Sequence, residues 1–225
     1  MYIDRGVLKR QAREDIHGAR PYPALVTLVF LALGFVLSLL SLKITGQLDQ
    51  MIRYYETGIY YTISHVTPGA WLLSVAISII SMFLNLGYVF YCLRISRGIP
   101  SGVGTIFDGF TYFPKYLGLS IVMGIFIFLW SLLFIIPGII AAYRYRMAIY
   151  LMLDHPEMGI LECLDRSKEM MYGRKLELFV LDLSFLGWAL LCIIPFVTLW
   201  VQPYITVTEA RFYQTLATRD PGWQL

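Results

Sequence analysis

Long apolar runs separated by short polar and basic segments dominate the chain, and their lengths predict membrane-crossing helices. The runs fall at 22–42, 69–93, 115–136, 139–153, 176–194 and 195–213. Between them the pattern changes to helical spacing with one apolar side. Residues 1–20 set Ile3, Val7, Leu8, Ala12 and Ile16 on one face, with Arg5, Lys9, Arg10 and Arg13 around it. That spacing predicts an amphipathic helix lying on an anionic leaflet, the alternative being a solvated basic terminus. It does not read as a secretory signal: the charged part is too long and no A-x-A site follows. A second amphipathic helix is predicted over 157–172, capped by Asp154-His155-Pro156 and stopped at Gly173. A short aromatic-rich one is expected over 105–113. In the loop at 43–69, Ile44, Leu48, Met51, Ile52 and Tyr55 repeat at helical spacing, which fits a membrane-surface helix or a partner-binding face.

One signature occurs twice. The stretch from Trp130 to Pro137 has the form W-x-L-L-x-I-I-P, and so does the stretch from Trp188 to Pro195. Proline lacks a backbone donor and glycine tolerates unusual backbone angles, so Pro137-Gly138 and Pro195 are predicted as hairpin turns. The expected fold is all-α: a polytopic membrane protein of about six transmembrane helices, arranged as repeated hairpins, each preceded by an amphipathic cytoplasmic surface helix. All 225 residues form a single membrane domain on this reading. Hairpin one is 22–93, hairpin two 104–153, and a surface helix plus hairpin three 156–213. Both clear copies start on the same side, so the repeats are parallel.

Composition sharpens the class. The chain is 58% hydrophobic and 15% charged, against about 25% charged in an ordinary soluble domain, and its mean hydropathy is +0.65. The bilayer is therefore its first partner. Fourteen of the 18 lysines and arginines fall in segments that one orientation makes cytoplasmic. Six spans with both termini inside fit that partition, and five spans with 139–153 re-entrant are the alternative. A net charge of +3, with the basic residues bordering spans, gives no nucleic-acid surface. Cys92, Cys163 and Cys192 are scattered without a CxxC pair, so neither a disulfide framework nor a metal site is expected, and no cofactor motif is present.

Four ionisable residues deep in the apolar runs are worth naming: Arg144, Arg146, Asp182 and Glu209. Charge at membrane depth is costly, so these are the candidate polar cluster. Arg146 and Asp182 lie at compatible heights for an ion pair, while Arg144 is about 200° around the helix from Arg146. A structural pair, an anion-binding pocket and a proton-coupled path all remain open. If the pair is structural, Asp182→Asn lowers expression and a charge swap with Arg146→Asp restores part of it. Ser74, Ser78, Ser81 and Asn85 line one helix face, a pattern suited to close helix packing, with a polar path as the alternative.

These residues also carry a family likeness. Arg5-x-x-Leu8-Lys9 with Ala12, the run LLFIIPGIIAAYRYRMAIY, and the following D-x-P turn are the first part of it. Ser167-Lys168, Met171-x-Gly173, Leu178-Phe179, Leu183-Ser184-Phe185-x-Gly187-Trp188, Pro203-Tyr204 and Phe212-Tyr213 complete it. In these the chain resembles a bacterial family of uncharacterised integral membrane proteins, the domain of unknown function 975. Its helical hairpins are also similar to the membrane domain of some glycerophosphodiester phosphodiesterases, without any phosphodiesterase domain. The resemblance implies a multi-pass protein of the bacterial cytoplasmic membrane and no established reaction. No nucleophile elbow, HExxH or Walker loop is present, so an enzyme is not expected. Two classes remain: a non-catalytic module that binds a membrane protein partner or forms a homo-oligomer, and a small permease or lipid-binding protein built around Arg146 and Asp182.

Overall fold

Three helices are long and apolar enough to cross a membrane in the computed structural model, which describes residues 3–59 and 67–218. They are α2 (Pro23–Ile44), α4 (Pro68–Ile95), and the run Thr105–Leu133. That run comprises α5 (Thr105–Asp108), a 3₁₀ turn (Gly109–Tyr112) and α6 (Phe113–Leu133). Each long helix opens on a proline in its first turn, where the missing N–H would have had no partner. Thr67 caps α4 by accepting from the Ala70 N–H, and Asp4 caps α1 (Arg5–Gly18) by accepting from Gly6. The amphipathic stretch after α2 forms α3 (Gln47–Thr57), closed at both ends by left-handed glycines, Gly46 at φ 75° and Gly58 at φ 68°. Among the described residues there is no strand. Residues 60–66, with His65, and the tail from Arg219 onward lie outside the described residues.

The second half is cut into shorter pieces, α7 (Ile135–Tyr145), α8 (Ala148–Asp154), α9 (Ile160–Met170), α10 (Lys175–Leu183) and α11 (Leu186–Leu191), before the long α12 (Pro195–Ala217). Here the chain departs from the sequence pattern in four ways. The first is the hairpin turn. The reversal is at Phe134, whose backbone is extended (φ −161°, ψ 154°), and Pro137 lies inside the first turn of α7. Gly138 serves packing instead, since a Cβ there would lie 2.9 Å from Ser131 Cβ and 3.0 Å from Ser131 Cα on α6. Pro195 likewise does not turn the chain; it opens α12 after an extended Ile194.

The second departure is that the fourth and fifth apolar runs are interrupted, at Arg146–Met147 and at Ser184–Phe185. At the latter, the Ser184 carbonyl accepts the Lys9 ammonium at 3.2 Å, an acceptor that an unbroken helix would spend on its own next turn. Third, part of the faces predicted for the membrane surface is buried inside the protein, while that of α3, with Met51, Ile52 and Tyr55, stays exposed. Leu8 and Ala12 of α1 are buried and α1 packs along α12; Ile106 of α5 is buried on α4 at Gly87; Cys163, Leu164 and Met170 of α9 are buried. An apolar stripe fits lipid and protein equally well, so the pattern alone could not choose.

The fourth is the serine stripe. Ser78 and Asn85 face outward, and the three hydroxyls of Ser74, Ser78 and Ser81 donate to carbonyls of Ala70, Ser74 and Ile77 in their own helix at 2.8–2.9 Å. Ser74 and Ser81 are half-buried, so only part of the stripe faces outward.

The core lies toward the end of the bundle that carries Arg94, Arg97, Asp154 and Arg211, with α12 at its centre against α1, α2 and α4. Aromatic rings fill it: Phe30 stacks on Tyr88 at 4.4 Å and Tyr150 on Tyr213 at 5.3 Å. Toward the opposite end the helices present apolar side chains outward, from Leu28 and Phe35 on α2 to Trp71 on α4 and Leu132–Leu133 on α6. That band is what a bilayer would cover.

Candidate functional site

The break after α7 leaves Arg146 pointing at two carboxylates on two other helices. Its Nη1 lies 3.4 Å from Oδ2 of Asp182 on α10, and its Nε donates to Oε1 of Glu209 on α12. Tyr143 stands three residues earlier on the same helical face. Its hydroxyl donates to Asp182 Oδ2 at 2.9 Å, and the Arg146 guanidinium lies 5.9 Å from its ring. One guanidinium thus serves two carboxylates and holds three elements together, with a formal charge of −1. Glu209 is the most enclosed of the three, at 15% side-chain exposure against 39% for Arg146.

Of the four residues singled out by sequence, three meet and one does not. Arg144 turns the other way, its guanidinium 6.0 Å from the Tyr145 ring, with no carboxylate at ion-pair distance among the described residues. Its carbonyl accepts the Ser167 hydroxyl of α9 at 2.9 Å. Tyr143 was missed, although an aromatic hydroxyl at i−3 from Arg146 was the available signal.

A second polar layer ties the helix ends together. Arg97 pairs with Asp154, and the Tyr213 hydroxyl donates to the same carboxylate at 2.7 Å. Gln214 donates to the Ser96 hydroxyl at 2.7 Å. Arg211 clasps Asp15 through two bonds of 2.6 and 2.7 Å, fixing α1 to α12. Lys9 reaches the Phe185 ring at 4.0 Å, and its burial, then the neighbouring Arg5 and Arg13, hold its ammonium pKa below the ordinary lysine value. Sequence reading counted Arg97 and Arg211 only as orienting charges and Asp154 only as a cap. Their partners lie 57 and 196 positions away, beyond any local pattern. Losing one partner of an enclosed charge-assisted bond costs about 1.5–3 kcal/mol. Asp15→Asn is therefore expected to speed tryptic cleavage after Arg10 and Arg13 severalfold, and unchanged cleavage would remove the clasp from this account.

The cluster can hold helices in register, and it can offer a partly open charge beside interrupted backbone. Three comparisons with known proteins bear on what it does. A family model described as "Protein of unknown function (DUF975)" matches residues 1–142 and 132–220. A search of curated proteins finds no match, and neither does a search of solved structures.

Proposed function

The chain belongs to the DUF975 family of proteins of unknown function, and from that premise we propose that it is a non-catalytic module of the bacterial cytoplasmic membrane that self-associates through the outward face of α4. On this reading it crosses six times with both termini cytoplasmic. The spans beyond α2, α4 and α6 are α7–α8, α10–α11 and α12. At 1.5 Å per residue these are about 30, 26 and 35 Å long, close to the hydrocarbon thickness.

The observation that carries the proposal is Asn85. It is exposed on a helix of hydropathy 2.0, about 15 Å from the end at Ile95, and its amide makes no hydrogen bond among the described residues. An unsatisfied amide in hydrocarbon is costly, and a second copy presenting the same face would satisfy both side chains. Ser78, small and outward, and the half-buried Ser74 would let the two helices approach. A heterologous membrane partner would meet the same need; the test separates the two.

Native mass spectrometry of the protein extracted gently from its own membrane should give a dimer. Asn85→Leu is expected to weaken it about threefold to eighteenfold, since interhelical hydrogen bonds are worth about 0.6–1.7 kcal/mol. A stoichiometric second protein would replace self-association with hetero-association. A monomer at every membrane density would overturn the proposal. A second reading, a small permease or anion-binding protein at the Arg146 cluster, draws support from the two helix interruptions beside it, because irregular backbone at membrane depth commonly lines binding sites.

A further inference from the structure

Between α7 and α10 runs a cleft of about 420 Å³ lined by Ile139, Ile140, Tyr143, Lys175, Leu176 and Phe179. Its walls are apolar and outward: Leu176 is 74% exposed, and Ile139, Ile140 and Phe179 are exposed too. Its floor offers nothing polar to a ligand. The Tyr143 hydroxyl is already donated to Asp182, and the Tyr143 ring meets Phe179 edge-to-face at 5.9 Å. Polarity is confined to one end, where Lys175 begins α10.

The basic residues of this segment differ in one respect. Arg166 pairs with Glu169, Lys168 with Asp165 and Arg174 with Glu177, each on its own helix or its first turn. Lys175 has no carboxylate at ion-pair distance among the described residues. An open apolar trough with a single uncompensated ammonium at its mouth matches one kind of occupant: a chain that is apolar along its length and anionic at its end. Tyr172, 84% exposed, and the left-handed Gly173 (φ 72°) immediately precede Lys175, so the mouth of the cleft is at the surface of the protein.

We propose that this cleft holds one anionic glycerophospholipid of the inner leaflet, an acyl chain lying on Ile139, Ile140, Leu176 and Phe179 and the phosphate on Lys175. The inner leaflet supplies such lipids, and a basic residue at the membrane surface attracts them. The site is separate from the α4 face, so it stands whether or not the protein self-associates.

The test is native mass spectrometry of the detergent-solubilised full chain, delipidated and re-supplied with phosphatidylglycerol or phosphatidylcholine, each variant first shown to migrate as the wild type does. Wild type is expected to retain one phosphatidylglycerol in preference to phosphatidylcholine. Lys175→Gln should cut that retention about fivefold, the effect of one basic residue at a membrane surface. Lys175→Arg should preserve it, and Lys168→Gln, which removes a charge already paired, should not change it. Leu176→Trp, which fills the trough, should abolish retention of both lipids; Ile139→Phe serves the same purpose if that variant does not fold. Equal retention of the two lipids, equal retention by Lys175→Gln, or no retained lipid at all would each overturn the proposal.

Discussion

Gly87→Ala is expected to abolish accumulation of folded protein. A Cβ at this position would lie 2.6 Å from the carbonyl carbon of Ile106 and 3.0 Å from its Cα. All the clashing atoms are backbone, so no rotamer change relieves them. Gly109 faces the same point from α5's side, where a Cβ would come within 3.0 Å of Gly87 Cα and N. The two glycines let the segment 105–109 lie directly on α4, with Ile106 fully enclosed between them. Overpacking a side-chain core costs about 1–3 kcal/mol; forcing two backbones apart should exceed that and consume much of a domain's stability. Fluorescence-detected size exclusion of a tagged chain reads this directly. Gly34→Ala, where nothing lies within 4 Å of the new Cβ, is the control and should be neutral or slightly stabilising. Equal accumulation of the two variants would mean that the α4–α5 contact is not what the geometry indicates.

The second large effect belongs to Arg146. Arg146→Met would leave Asp182 and Glu209 without their shared cation, and breaking a buried pair by removing one partner costs about 3–5 kcal/mol. The pair is only partly enclosed, Arg146 keeping 39% of its side chain accessible and Asp182 28%. Most of the penalty should come from Glu209, at 15% exposure. Adding Glu209→Gln to Arg146→Met should therefore recover more stability than adding Asp182→Asn. Thermal melts of the purified variants would rank them, and the reverse order would locate the dominant pairing on α10. The charge swap expected from sequence to rescue Asp182 should instead fail. Exchanging Arg146 and Asp182 sets a new carboxylate beside Glu209, which then has no partner.

The expected failure of the swap follows from a limit on what the sequence could show. The three long spans, a helix after α2, and the inclusion of Arg146 and Asp182 in one polar group were legible, because each depends on local spacing or on the cost of charge in an apolar run. The role of Glu209 was not, since only tertiary packing brings α12 beside α7. The turn at Phe134 escaped for a different reason. Proline and glycine advertise a reversal, yet Pro137 can sit inside a helical first turn and Gly138 was needed for contact with Ser131. The face of α1 could not be assigned for a related reason: in a membrane protein a helix face can be apolar toward lipid or toward its neighbours.

The Asp15–Arg211 clasp also imposes an order in time. The two residues are 196 positions apart, so at about 5–20 residues per second the ribosome needs about 10–40 s between them. Throughout that interval the first helix has been made and the helix it docks on has not. On the proposed membrane reading, Leu8 and Ala12 wait at the membrane surface, held there by Arg5, Arg10 and Arg13, until the last helix arrives. The surface affinity written into α1 thus describes the growing chain, and its burial on α12 describes the finished one.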